Sequence, residues 1–307
     1  MARYANILFD DTFKVVVCAP ENERLLIKII ELLIPGKHIK SLVLKDKENH
    51  GLSISDKVTI FDMFCTSETG EQFIVEMQHS PQRNFADRML CYATYPIRNQ
   101  LAAKFAARKE RIERGEALEK MDYGLFPVYV VSIVNFSIPH KEEKSLEGGL
   151  VSRYDVRNPA SGELMTESLH FVYLELGRLK ARLGESAKCK TLLEQFVYST
   201  KYMHEIKERP EGFDDPLLID LYNASEFANW SPDKQAKYYR TMRTELDIIA
   251  EKAYAREEGL AEGRAEGRAE EKIALTAEHV RKMKAEGISP EVIGRITGLD
   301  AEELAML

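Results

Sequence analysis

The stretch IFDMFCTSETGEQFIVEMQ, residues 60–78, contains two apolar runs, each with one acidic residue inside it. The first run belongs to a strand-like segment at 57–65, the second covers 72–78, and a short polar link joins them. Both runs are apolar on both faces apart from a few polar residues, which is typical of strands in the interior of a sheet. The stretch therefore predicts an interior β-hairpin that contains Asp62 and Glu76.

The spacing of the two acids predicts that they meet. Asp62 and Glu76 are each seven positions from Thr69, so a hairpin loop centred there places them opposite each other, with Cβ atoms about 5 Å apart. Two buried carboxylates repel unless a cation lies between them, and magnesium is the usual hard divalent ion with oxygen ligands. Gln78 lies on the same strand face as Glu76. The pattern leaves a second interpretation open, in which each acid pairs with a lysine or arginine or lies at an exposed edge.

The rest of the chain alternates strand-like and helical segments. The sequence predicts a mainly helical opening with Asp10 or Asp11 as a cap. It also predicts a helix with a kink or boundary at Pro96 and a helical region later in the chain. These helical segments cover 1–36, 83–114 and 177–254, the further strands 39–46, 127–136 and 168–176, and a loop-rich region 139–163.

The C-terminal part differs in composition. Glycines recur four apart at Gly259, Gly263 and Gly267 among Ala, Glu and Arg, which predicts a charged linker helix of modest stability. Beyond it, Ser289-Pro290 and the capping-box pattern from Asp300 to Glu303 predict two short helices, a miniature helix-turn-helix.

Composition excludes several classes of protein. The 307 residues carry a net charge of -7, 44% are hydrophobic, and the four cysteines form no CxxC pair, so we expect a soluble protein of a reducing cytoplasm. The opening residues lack a signal-peptide core, and no apolar run approaches the ~20 residues of a membrane span. Histidine spacings typical of zinc sites and nucleotide-binding glycine loops are missing from the sequence. The segment 83–114 is nevertheless basic, with eight basic and three acidic residues, as a DNA-facing surface requires. A solvated helix face is the alternative interpretation of this segment.

An ordered set of motifs resembles the Rpn family of recombination-promoting nucleases and transposases, within the PD-(D/E)XK nuclease superfamily. The set covers nearly the whole chain and ends in a glycine-tetrad tail like that of the family. Its motifs are Asp10-Asp11-Thr12-Phe13-Lys14, Asp62 in an apolar strand, Gly70-Glu71 through Glu76 and Gln78, Arg88 with Tyr92, Arg153-Tyr154-Asp155 with Arg157-Asn158, Leu169-His170-Phe171, and Leu174-Glu175-Leu176.

The resemblance implies an α/β (α+β) fold, a restriction-endonuclease-like mixed sheet flanked by helices, with a helical C-terminal extension. It also implies metal-dependent phosphodiester hydrolysis in which Asp62 and Glu76 hold Mg²⁺ or another divalent cation, with Asp10 as a further ligand. Gln78 stands where the superfamily usually has a catalytic lysine, and its amide can position water but supplies no positive charge. The resemblance assigns DNA contact or support of the site to three residues, Lys14, Arg88 and Tyr92.

These inferences predict four parts and one main function. The parts are a nuclease-like core at 1–140, its continuation with strand 168–176 at 141–254, the linker helix at 255–275 and the tail at 276–307. The function expected is a magnesium-dependent endonuclease that acts on double-stranded DNA in recombination or mobile elements, without a membrane, with the tail as a possible site of homo-oligomerisation. The alternatives are a catalytically weak or inactive nuclease fold that binds DNA or protein, and a purely structural assembly protein.

Overall fold

A six-stranded mixed sheet forms the centre of the protein. The computed structural model describes residues 2–44, 62–117, 120, 122–140 and 148–307. In the sheet, the strands lie in the order β1-β2-β3-β4-β6-β5. Their bounds are β1 Leu42–Leu44, β2 Met63–Ser67, β3 Gln72–Gln78, β4 Val128–Val134, β5 Val151–Asp155 and β6 Leu169–Glu175.

Strands β2 and β3 form the predicted interior hairpin. They pair antiparallel with Met63 opposite Val75, and β1 and β4 cover their outer edges. Gly70 closes the turn with a φ of 89°, in the left-handed region that favours glycine. Asp62 lies immediately before β2 rather than in the middle of a strand, and the predicted strand residues 57–61 fall outside the described residues, as do 45–46 of the predicted strand 39–46.

The central strands β3, β4 and β6 run parallel to one another. Every residue of β4 is buried, which confirms the interior strand predicted from its Val/Ile run. The region 139–163 was predicted to be rich in loops, and this prediction did not include the strand β5, which pairs antiparallel with β6 at the sheet edge. The sequence VSRYD does not indicate a strand, because it is largely polar and only Val151 and Ser152 are buried. Residues 141–147 of the predicted loop-rich region lie outside the described residues.

Helices cover both faces of the sheet. Helices α1 Asp10–Val16, α2 Glu23–Leu33, α4 Leu192–Tyr202 and α5 Pro216–Ser225 contribute to the larger core with one face of the strands. Helix α3, Phe85–Glu113, packs on the opposite face. The mixed sheet flanked by helices agrees with the fold that the resemblance implies.

The structure contradicts two sequence-based expectations for these helices. Pro96 is not a helix boundary, because it lies buried inside α3, which continues to Glu113. The alternative, a kink at Pro96, stays a prediction. Asp10 and Asp11 occupy the first turn of α1 after the N-cap Phe9, and neither caps the helix. Their charge still suits the positive end of the helix dipole.

The chain divides into two compact units, Met1–Met242 and Arg243–Leu307. Helix α6, Pro232–Ala285, includes the glycine tetrads, which confirms the helix predicted there. In the second unit, α7 Pro290–Thr297 and α8 Ala301–Met306 follow, and Asp300 and Glu303 form the predicted capping box. Val280, Ile293 and Leu304 form a small apolar cluster between these helices.

Candidate active site

Asp62 and Glu76 are buried next to each other, and each carboxylate accepts a hydrogen bond from the backbone of the other segment. The backbone N–H of Asp62 donates to Oε1 of Glu76 at 2.8 Å, and the N–H of Met77 donates to Oδ2 of Asp62 at 2.8 Å. Only 5% of Asp62 and 2% of Glu76 is exposed. The β2–β3 register, continued by one residue, sets the two acids opposite each other. The structure therefore brings the two predicted carboxylates together at the start of the hairpin.

Helix α1 adds a cation and a third acid. The Lys14 ammonium lies 2.6 Å from Oδ2 of Asp10 and 3.0 Å from Oδ1 of Asp62. Lys14 follows Asp10 by one helical turn, so both side chains project from the same face of α1 towards the hairpin. The Asp10 carboxylate therefore belongs to the same cluster of charged side chains as Lys14 and Asp62.

Helix α3 supplies a second cation on the Glu76 side. One guanidinium nitrogen of Arg88, Nη2, lies 3.6 Å from Oε2 of Glu76. Nε of Arg88 donates to the hydroxyl of Tyr92 at 2.8 Å, and Nη1 donates to the side-chain oxygen of Gln82. The predicted pair Arg88 and Tyr92 thus lies at the site, with Arg88 held in place by three partners.

Gln78 ends β3, and its amide has a local partner. Nε2 donates to the carbonyl of Ser80 at 2.9 Å, which fixes the amide beside the turn that follows the strand. A neutral amide cannot provide the positive charge that a lysine would place here. Within the described residues, Lys14 and Arg88 provide the positive charges in ion pairs with Asp62 and Glu76.

Burial and mutual repulsion set the protonation of the two acids. Burial raises the pKa of Asp62 to about 7, the nearby Asp10 carboxyl adds to the rise, and Lys14 opposes it. Burial together with repulsion from Asp62 raises the pKa of Glu76 to about 9. Burial lowers the pKa of Lys14, but its attraction to Asp62 and Asp10 outweighs burial and leaves that pKa above the ordinary value. The cluster would gain free energy from additional positive charge.

The donor chemistry of this cluster fits a hard cation. Carboxylate oxygens from Asp62 and Glu76, with Asp10 beside them, are the ligand type that Mg²⁺ prefers, and one or two carboxylates suffice when water and phosphate complete the shell. In the described part of the chain, no three acidic, histidine or cysteine side chains are already arranged around a metal position. The Lys14 ammonium between Asp10 and Asp62 shows that a cation is favoured there.

The basic segment 83–114 forms α3 and the turn before it. Several of its cations pair with acids: Lys104 with Asp122, Arg111 with Glu116, and Arg114 with Glu110. These pairs are largely exposed and weak, so a phosphate backbone can compete for the cations. Arg83 and Arg98 are exposed on the same segment.

Sequence reasoning missed a third buried acid. Glu175 at the end of β6 is fully buried and accepts from the backbone of Ile138 at 2.7 Å and from Nε of Arg178 at 2.6 Å. Nε2 of His140 also bonds this carboxylate. The signal was available, because Glu175 interrupts the apolar run SLHFVYLEL as Asp62 and Glu76 interrupt theirs.

Comparison with protein families gives one match, and comparison with individual proteins and structures gives none. In the part of the chain that the structure describes, no helix has the length and apolarity to span a membrane. Searches of curated proteins and of solved structures return no significant match. The family model for the PD-(D/E)XK nuclease family transposase matches residues 8–255, which include the acids, Lys14, Arg88 and the whole sheet. This match spans well over half of the chain, and the chain therefore belongs to the PD-(D/E)XK nuclease family transposases.

Proposed function

We propose that this protein is a divalent-metal-dependent endonuclease that hydrolyses phosphodiester bonds of double-stranded DNA at the Asp62–Glu76 site, in recombination or the movement of mobile elements. The family supports a nuclease and mobile-element role with DNA as substrate. The observation that carries the proposal is that two buried acids, Asp62 and Glu76, lie side by side next to two cations. The Asp62 N–H donates to Glu76, and the N–H of Met77 donates to Asp62. If the two acids had only a structural role, apolar side chains in their place would make the folded protein more stable, because burying carboxylates costs free energy.

Each residue of the cluster has a role in this proposal. Asp62 and Glu76 would hold the divalent ion, with Asp10 as an additional ligand. The bound ion supplies Lewis-acid polarisation of the phosphate and a lower pKa for a coordinated water. Lys14 keeps Asp10 and Asp62 together and presents a positive charge to the phosphate. Arg88 orients Glu76 and is itself fixed by Tyr92 and Gln82.

Two observations favour the second candidate, a nuclease fold that binds DNA without cutting it. Lys14 already neutralises part of the acid cluster, and Gln78 brings no charge to the end of β3. In that case the protein would bind DNA through α3 with or without a divalent ion, and no strand would be cut.

Nicking of supercoiled plasmid separates the two candidates. With Mg²⁺, the full-length protein should nick the plasmid, and EDTA should stop the reaction. Asp62→Asn and Glu76→Gln keep the hydrogen-bond acceptors for the backbone but lose the charge, so each should slow nicking by about 100-fold or more. Glu211→Gln, on an exposed turn outside α3, is the matched control and should nick at the wild-type rate. Equal nicking by wild type and Asp62→Asn would refute the site, and DNA binding without nicking would establish the second candidate.

A further inference from the structure

An aromatic cavity is lined in part by Gln82, the residue that bonds Arg88 of the candidate active site. Within the described residues, it has a volume of about 550 Å³, inside the range of pockets that bind small organic groups. Phe85, Phe136 and Tyr173 form its wall, with the Phe85 ring centroid 5.8 Å from those of Phe136 and Tyr173. Phe171 and Tyr154 complete the aromatic lining. A planar ring entering this cavity would meet aromatic surface on several sides.

The rim of the cavity carries a fixed polar group. The Tyr154 hydroxyl lies 3.1 Å from Nδ1 of His140, and Nε2 of His140 bonds the buried carboxylate of Glu175. Arg178 and the backbone of Ile138 bind the other oxygen of Glu175, so the chain from Tyr154 to Glu175 is held rigidly. The side chains of Gln82 and Asp87 also line the cavity and add hydrogen-bonding groups. The cavity thus combines aromatic walls with a polar rim.

The cavity and the acids share a structural connection. Gln82 lines the cavity and bonds Arg88, and Arg88 contacts Glu76. Pro81 and Gln82 belong to the short link that leads from β3 to α3. Gln82 and Arg88 therefore join the lining of the cavity to Glu76 through direct contacts.

We propose that this cavity receives one unpaired nucleobase of the DNA engaged at the Asp62–Glu76 site, an inference that rests on the proposed function. A nucleobase has two π faces and a polar edge, which match the aromatic walls and the rim formed by Tyr154, Gln82 and Asp87. Enzymes that act on nucleic acid commonly bind extruded or single-stranded bases by stacking them on aromatic side chains. The cavity would then select DNA that is unpaired or easily opened near the cut.

Binding measured without metal tests this proposal separately from cleavage. The probe is a fluorescent duplex with one bulged nucleotide, compared with the same duplex carrying an abasic residue in the bulge, by anisotropy in EDTA with the full-length protein. The base should tighten binding about tenfold or more, since stacking on an aromatic side chain has an effect of that size. Tyr154→Phe should reduce this gain several-fold, because the rim loses its hydroxyl.

Leu90→Trp provides the blocking variant. Leu90 lines the cavity and is 51% exposed, so a larger side chain there fills the cavity without disturbing the core. The matched control is Leu183→Trp, because Leu183 is 44% exposed, does not line the cavity and lies outside α3. The base-dependent gain should vanish in Leu90→Trp and persist in Leu183→Trp.

Three results would overturn the proposal. The first is equal binding of the base and abasic probes by the wild type, and the second is an unchanged gain in Leu90→Trp. The third is binding of an apolar dye that Leu90→Trp blocks, in a protein whose DNA binding does not depend on the bulged base. If plasmid is cut with Mg²⁺ but the gain is missing, only the cavity proposal fails. If the gain is present and no plasmid is cut, the proposed endonuclease activity fails and the cavity assignment stands.

Discussion

At the scale of single residues, the protein keeps two acids where apolar side chains would be more stable. Asp62 and Glu76 satisfy backbone donors of the neighbouring strand, yet their burial raises both pKa values. Lys14 and Arg88 offset part of this cost from two different helices. A cluster with such incomplete compensation is typical of a functional site.

The raised pKa values predict how stability depends on pH. In the metal-free folded protein, burial and repulsion between the acids raise the pKa of Asp62 to about 7 and that of Glu76 to about 9, from ordinary values of 3.8 and 4.5. The folded state then binds more protons than the unfolded state, so the melting temperature in EDTA should fall as pH rises from about 4 to about 9. A divalent ion competes with these protons, so the rise in melting temperature caused by Mg²⁺ should grow over the same range.

Thermal melts of wild type and of the double variant Asp62→Asn/Glu76→Gln, with EDTA and with Mg²⁺, check this prediction. The double variant should show a flatter pH dependence and little response to Mg²⁺, because neither side chain ionises. An identical pH slope and Mg²⁺ response in both proteins would contradict the assignment.

Sequence could predict the meeting of the two acids but not their partners. The equal spacing of Asp62 and Glu76 about Thr69 follows from the hairpin alone, which is a local feature. Lys14 and Arg88 reach the site from α1 and α3, and such long-range approach depends on how whole helices pack. The family resemblance placed these two residues at the site, whereas their spacing in the chain did not.

At the scale of elements, prediction succeeded where a strand is apolar throughout and failed where half of it is polar. β4 was predictable because all seven of its residues are buried. β5 has only five residues, and just two of them are buried, so it resembles the loops around it. Pairing with β6 at the sheet edge stabilises it, and that pairing cannot be seen locally.

Two kinds of glycine lead to opposite predictions for Gly→Ala variants. A Cβ on Gly177 would lie 2.6 Å from the backbone carbon of Phe136, so Gly177→Ala should destabilise the first unit by about 1–3 kcal/mol. Gly259, Gly263 and Gly267 in α6 have no atom within 4 Å of such a Cβ. Alanine there should stabilise the helix by roughly 1 kcal/mol per site.

Urea unfolding of Gly177→Ala and circular dichroism melts of the triple Gly259/Gly263/Gly267→Ala variant measure the two effects. The triple variant serves as the internal control for Gly→Ala substitution itself. A neutral Gly177→Ala, or a loss of helix in the triple variant, would show that the close approach or the open surroundings are misassigned.

At the scale of the whole molecule, the division into two units predicts a separable C-terminal part. The candidate site and sheet lie within Met1–Met242, and the family match ends at residue 255. A chain ending at Tyr254 should therefore keep its melting temperature within a few degrees and still nick plasmid. It should lose self-association, because the small cluster of Val280, Ile293 and Leu304 is too small for normal independent stability and would gain order in a second copy.

Analytical ultracentrifugation of the full-length and shortened chains measures the assembly, and the plasmid assay measures the activity. A shortened chain that unfolds would show that the last 53 residues belong to the nuclease core. Identical assembly of both chains would remove the tail as the site of self-association.

The central claim is that Asp62 and Glu76 together hold a divalent ion. Titration of Mn²⁺ followed by electron paramagnetic resonance, which detects the free ion, tests it most directly in the wild type, Asp62→Asn, Glu76→Gln and the surface control Glu211→Gln. We expect the wild type and Glu211→Gln to bind Mn²⁺ alike, and each site variant to bind it at least about tenfold more weakly. Equal Mn²⁺ binding by all four proteins would contradict the claim.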